Sequence, residues 1–106
     1  MKKIVTLLVL FFPYFACADD QPIVITLKDH HFTPSEIHFP SGKKAIFVVK
    51  NQDDAAEEFE SAALKIEKVI PAKSEGLIRI GPTDHGHYSF VGEYHEKEAR
   101  GVLIAD

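Results

Sequence analysis

From Pro22 onward, apolar and polar residues alternate in short runs, and turn-forming residues separate the runs. In Pro22-Ile23-Val24-Ile25-Thr26-Leu27-Lys28, the residues Ile23, Ile25 and Leu27 share one side of an extended chain. A period of two is the mark of a strand with one buried face. Ile37 and Phe39 alternate with Glu36 and His38, which leaves His38 facing solvent. Pro40-Ser41-Gly42-Lys43 has the chemistry of a turn. Ala45-Ile46-Phe47-Val48-Val49 is apolar throughout and predicts a central strand covered on both faces. Leu64, Ile66, Val69 and Ile70 predict another strand, Pro71 to Gly76 a turn, and Leu77-Ile78-Arg79-Ile80 a further strand. Gly81-Pro82 and Gly86 break the chain again before the last two strands, carried by Tyr88/Phe90 and Val102/Ile104. Short strands at near-regular spacing, with turns between them, predict an all-β sandwich or barrel.

One segment supports two readings. Asp53 to Ala63 opens with a cap-like Asp, is rich in helix formers, and places apolar residues at 55, 56, 59, 62 and 63. By propensity this is an amphipathic helix. The flanking strands favour an extended Glu57 to Ser61, with at most one short helix near residues 54–65.

The first eighteen residues differ from the rest. Met1-Lys2-Lys3 is basic, Ile4 to Phe12 is an unbroken apolar run too short to span a bilayer, and Ala16-Cys17-Ala18 fits a small-x-small cleavage rule. We therefore expect a secretory signal peptide at 1–18, a single domain at 19–106, and a periplasmic location. Acylation of Cys17 is the lesser alternative: Tyr14 stands where lipoprotein signals usually carry Leu, and cleavage after Ala18 discards the only cysteine. Loss of Lys2 and Lys3 moves the net charge from −4 to about −6. An acidic domain lacks the basic footprint that nucleic acid requires, and nothing after residue 18 is long and apolar enough to form a membrane span.

Candidate chemistry concentrates near the C-terminus. In Gly86-His87-Tyr88-Ser89-Phe90-Val91-Gly92-Glu93-Tyr94-His95 a strand runs into a histidine-bearing loop, and Gly101 opens a final apolar strand. This resembles the C-terminal ligand loop of the cupredoxins, in which Cys, His and often Met hold copper. The resemblance extends to Phe32-Thr33-Pro34 through Gly42, to Ile46 through Asn51, and to Glu57-Glu58-Phe59, where the family usually carries His-x-Phe. It implies a cupredoxin-like Greek-key β-sandwich. The departures are chemical: Glu57 or Glu58 replaces the first His, Gly92 stands in place of the Cys, and no Met follows. A blue-copper centre needs two His and a Cys thiolate, so this chain cannot build one.

Glu58-Phe59-Glu60-Ser61, Glu67-Lys68-Val69-Ile70 and Gly92-Glu93-Tyr94-His95 resemble the periplasmic cupredoxin components of bacterial iron-uptake systems. That resemblance implies Cu²⁺ and/or iron (Fe²⁺/Fe³⁺) as the metal. It also implies a membrane iron permease and its associated periplasmic iron-binding protein as partners, and a ferroxidase-type or iron-delivery role. Glu58 and Glu60 share one face of a strand, with Phe59 on the other as core. Carboxylate and imidazole donors suit Cu²⁺, Zn²⁺ and Fe³⁺, and hard oxygens favour Fe³⁺ over Fe²⁺. With this chemistry, the resemblance implies Glu58, Glu60, His95, Glu93 and His30 as the metal residues; the family fold places His30 at the metal end, with His31 pointing away. His85 and His87 form a lesser surface pair, and Tyr94 is expected to pack. Two rivals remain: a copper or zinc module without redox chemistry, and a metal-free interaction domain. No phosphate-binding loop, zinc-protease helix or nucleophile elbow occurs.

Overall fold

Residues 21–106 are described in a computed structural model. The expected leader, Cys17 with it, lies outside the described residues. The alternating segments become nine strands: β1 (Ile23–Lys28), β2 (His31–Thr33), β3 (Glu36–Phe39), β4 (Ala45–Asn51), β5 (Glu57–Ser61), β6 (Ile66–Ile70), β7 (Glu75–Ile80), β8 (Gly86–Gly92) and β9 (Arg100–Ala105). They form a four-stranded sheet in the order β2-β1-β4-β7 and a five-stranded sheet in the order β3-β9-β8-β5-β6. The chain passes repeatedly between the sheets, so β1 pairs parallel to β4 and β3 parallel to β9, while the other pairs are antiparallel. This is the all-β sandwich expected.

The inward faces follow the period of two. Ile25 and Leu27 of β1, Ile37 and Phe39 of β3, Phe59 of β5 and Phe90 of β8 are fully buried. Three aromatic rings join the sheets: Phe59 and Phe90 stack at 4.7 Å, and Phe32 meets them edge-on at 5.8 and 5.0 Å. Truncating one of these rings to Ala costs about 3–5 kcal/mol by general experience of cores.

Two expectations are corrected. β4 is not covered on both faces: Ala45, Phe47, Val49 and Asn51 point inward, whereas Ile46 and Val48 are half-buried on the outer surface. In register with Val24 and Leu77, Val48 completes an apolar row across three strands, which is why the run looked continuously buried. The short helix near 54–65 does not form. Glu57–Ser61 is a strand, followed by a turn through Ala62–Lys65. Pairing with β6 and β8 buries Phe59 between the sheets, and this overrides helix propensities that differ by only a few tenths of a kcal/mol, roughly, per residue.

Candidate metal centre

Three segments meet at one end of the sandwich. The first is the β1–β2 hairpin, whose two-residue turn is Asp29-His30 with φ of 51° and 63°. The second is the start of β5. The third is the loop from Gly92 to Arg100, which begins with a 3-10 turn at Glu93–His95. Hydrogen bonds from Glu98 N–H and Ala99 N–H to the His95 carbonyl, and from Gly92 N–H to the Ala99 carbonyl, close that loop on itself.

Glu57 is the side chain that organises this end. It is 1 % exposed, because β5 turns it inward on the same face as Phe59. Its Oε1 accepts the N–H of Glu58 at 3.1 Å and of Tyr94 at 2.9 Å, and its Oε2 accepts from His95 Nδ1 at 2.6 Å. Burial of a carboxylate requires such donors. The space it fills belongs to position 92: a Cβ on Gly92 would lie 2.6 Å from the Glu57 Cδ and 2.8 Å from the Ala99 Cβ. Gly92 and buried Glu57 are thus one packing solution.

The His30 ring stacks on the His95 ring with centroids 3.6 Å apart and planes 17° from parallel. His30 Nδ1 is buried and has no hydrogen-bond partner; Asp53 Oδ2, at 3.6 Å, is beyond hydrogen-bond distance but within ion-pair range. Donor atoms from His30, Glu57 and His95 lie within 4.8 Å of one another. A second set with the same spread, Glu58, Glu60 and Glu93, lies on the outer side of β5.

The five residues expected as ligands are therefore divided. His30 and His95 sit in the inner set, and Glu58, Glu60 and Glu93 form the outer one. Glu57 enters as the inner carboxylate, and the sequence contained its signal: the alternation that pairs Glu58 with Glu60 also turns Glu57 inward with Phe59. The outer carboxylates perturb one another. The hydrogen bond and charge of Glu93 hold Glu58 above the usual carboxylate range. In Glu93 the bond to Glu58 acts downward, but the bond and charge of Glu60 prevail and raise it. Tyr94, 52 % exposed rather than packed, has its phenol raised by partial desolvation and then by the Glu58 charge. His31 points outward as expected, and so does His38, which bonds Asp106 and Glu36. His85 and His87 belong to neither three-residue set.

A two-sheet sandwich with histidine donors at the loop end is the architecture of the cupredoxins. The chain belongs to that family: residues 3–105 match the Cupredoxin-like domain. A curated relative, the uncharacterized protein RP394 of Rickettsia prowazekii (strain Madrid E), is 34% identical over 84 residues, 79% of this chain and 67% of that protein. Among solved structures, the fold is similar to the metal-binding domain of the Cu(I)-exporting P-type ATPase CopA of Streptococcus pneumoniae D39 with Cu(I). The TM-score is 0.72 at 20% identity, over 81% of this chain and 85% of that one. It is also similar to a reduced Cu(I) form of an amicyanin mutant, with a TM-score of 0.67 at 15% identity over 82% and 84% of the two chains. At such identities the likeness concerns the fold.

Proposed function

We propose that this cupredoxin holds an oxidised metal ion, Cu²⁺ in the first instance, on His30, Glu57 and His95. The observation that carries the reading is the convergence of donor atoms from His30, buried Glu57 and His95 within 4.8 Å of one another, with His30 Nδ1 buried and making no hydrogen bond. A buried polar atom without a partner is costly, and two imidazoles with a carboxylate are a donor set that Cu²⁺, Zn²⁺ or Fe³⁺ satisfies. The residues present therefore fit a metal, and bound Cu²⁺ would supply Lewis acidity and a one-electron acceptor. Glu57 contributes the negative charge and is held by two backbone N–H groups. His95, hydrogen-bonded to Glu57 Oε2 through Nδ1, would offer a ring nitrogen to the ion. The Phe32, Phe59 and Phe90 rings keep the inner face apolar.

Among the described residues there is no sulfur. Soft Cu⁺ is poorly served by imidazole and carboxylate, so the donor set supports holding an oxidised ion rather than blue-copper electron transfer. Titration of Cu²⁺ into the protein, followed by electron paramagnetic resonance, tests this. A stoichiometric non-blue signal lost in His95→Ala is expected. A wild-type protein that takes up no copper, and whose melting temperature no metal changes, overturns it in favour of a metal-free interaction domain.

A second reading adds iron as cargo, favoured by the three outer carboxylates next to the centre. In this reading Glu58, Glu60 and Glu93 receive iron, whose ferric form hard oxygens prefer. The chain, exported to the periplasm by its leader, then either promotes Fe²⁺ oxidation or presents Fe³⁺ to a membrane iron permease and its periplasmic iron-binding protein. Iron uptake and Fe²⁺ consumption equal in wild type and in a Glu58→Ala/Glu60→Ala variant would remove this reading and leave a copper or zinc module.

A further inference from the structure

We propose that Asp53 is the positioning residue of the centre: by clamping the backbone of the β1–β2 turn it sets His30 as the third donor. This rests on the reading of the centre given above. The turn has two residues, both with positive φ, the geometry of a tight hairpin that favours Asn, Asp or Gly first and Gly second. Asp29 suits the first place, and His30 stands in the second, where Gly is usual. Backbone of this kind in ordinary residues persists where the surroundings enforce it, and it clusters at functional sites.

Asp53 enforces it here. Its Oδ1 accepts the N–H of Asp29 at 2.6 Å and its Oδ2 the N–H of His30 at 3.0 Å. Asp53 is in turn fixed from behind. Its N–H donates to Asn51 Oδ1 at 3.0 Å, and its carbonyl accepts from Lys73 N–H at 3.0 Å. Asn51 Nδ2 donates to the carbonyls of Ala55, Ile70 and Pro71. The clamp therefore ties the hairpin tip to the end of β4 and the turn between β6 and β7. It acts on the backbone; His30 Nδ1 itself makes no hydrogen bond and lies 3.6 Å from Asp53 Oδ2. Without the clamp the turn relaxes, the ring leaves its stack on His95, and a bound ion keeps Glu57 and His95 but loses one imidazole.

The test is a Cu²⁺ titration read by affinity and by the number of coupled nitrogens in the paramagnetic resonance spectrum. It compares wild type, Asp53→Ala, Asp53→Asn, His30→Gly, His95→Ala and the His30→Gly/Asp53→Ala pair, with metal-free melting recorded for each. Loss of a supporting residue typically weakens metal binding about 10–100-fold, and that loss, with one nitrogen fewer, is expected for Asp53→Ala. Asp53→Asn retains an acceptor for one N–H and falls between. In the His30→Gly background, where glycine accepts the turn unaided, Asp53→Ala has no further effect on affinity. Wild-type affinity and nitrogen count in Asp53→Ala overturn the proposal, as does an equal weakening in both backgrounds, which marks a structural role only. Should Asp53→Ala fail to fold, Asp53→Asn alone and in the His30→Gly background decides the same question. If His95→Ala abolishes binding and the Asp53 variants leave it unchanged, only the role of Asp53 fails. If wild type binds nothing, the centre itself fails.

Discussion

Replacing Glu57 by Gln separates what the fold takes from this side chain from what a metal takes. Oε1 of Glu57 accepts two backbone N–H groups and Oε2 accepts from His95 Nδ1. A Gln in the same rotamer keeps its carbonyl oxygen on both N–H groups. Its amide N–H then faces His95 Nδ1, which becomes an acceptor in the other tautomer. Every hydrogen bond survives, so metal-free stability should change by less than about 1 kcal/mol. Glu57→Ala instead leaves three donors without an acceptor. A buried donor so stranded costs about 1–3 kcal/mol. All three bonds are part-buried, so water reaches the groups and the low end applies, about 3 kcal/mol in total. For a domain of this size about 1 kcal/mol moves Tm by roughly 4–8 °C, which predicts a fall of about 12–24 °C for Ala and under about 8 °C for Gln. Cu²⁺ affinity should fall in both variants, by more than the ~10–100-fold typical of outer-shell losses, because the anionic donor itself is gone. Thermal melting under chelator and a competition titration with Cu²⁺ measure the two quantities. A Gln variant that binds copper like wild type refutes Glu57 as a ligand. One that melts as low as the Ala variant refutes the hydrogen-bond account of its burial.

Three further outcomes are expected. Gly92→Cys combined with Glu57→His adds an imidazole and a thiolate beside His30 and His95, so Cu²⁺ should bring up an intense visible thiolate absorption; a folded, copper-loaded variant without it refutes the inward aim of position 92. His38, hydrogen-bonded to Asp106 and Glu36, has a raised pKa, so its contribution is fully present below about pH 6.5 and is lost as pH rises through its folded value. The stability lost in His38→Gln, from denaturant melts, should accordingly be larger at about pH 5.5 than at about pH 8.5, and equal losses reject the pairing. Glu58 and Glu93 have raised pKa values, which means repulsion appears as pH rises through them. Glu93→Gln should raise the metal-free Tm at neutral pH and lose that advantage at about pH 3.5; a lowered Tm at pH 7 would contradict it.

How much of this was legible in the sequence depends on the range of the interaction. Strands announce themselves through neighbours two residues apart, and β1, β3, β5 and β7 follow their alternation residue by residue. Ile46 and Val48 misled because an apolar residue on an outer sheet face is indistinguishable in sequence from a buried one. Val24 at 44 % and Leu77 at 47 % exposed share that surface. Asp53 was illegible for another reason. Its partners lie 23 and 24 residues earlier in the chain, and nothing local marks an Asp as the clamp of a distant turn. Glu57 is intermediate: strand period alone turns it inward, but only the empty space at Gly92 explains how a carboxylate can sit there.

That space links the packing to the chemistry. Any side chain at 92 begins with a Cβ, and that Cβ falls 2.6 Å from the Glu57 Cδ and 2.9 Å from its Oε2. A thiolate at 92 and a carboxylate from 57 thus compete for one volume, and this chain has settled the competition for oxygen. The choice then propagates. With Oε1 committed to Glu58 and Tyr94, the Glu93–His95 turn is pinned against β5, which sets His95 under His30. The same turn leaves Glu93 beside Glu58 and Glu60 on the outer side. One glycine therefore accounts for the inward seat of the Glu57 carboxylate and, through the turn it permits, for the position of the outer carboxylates.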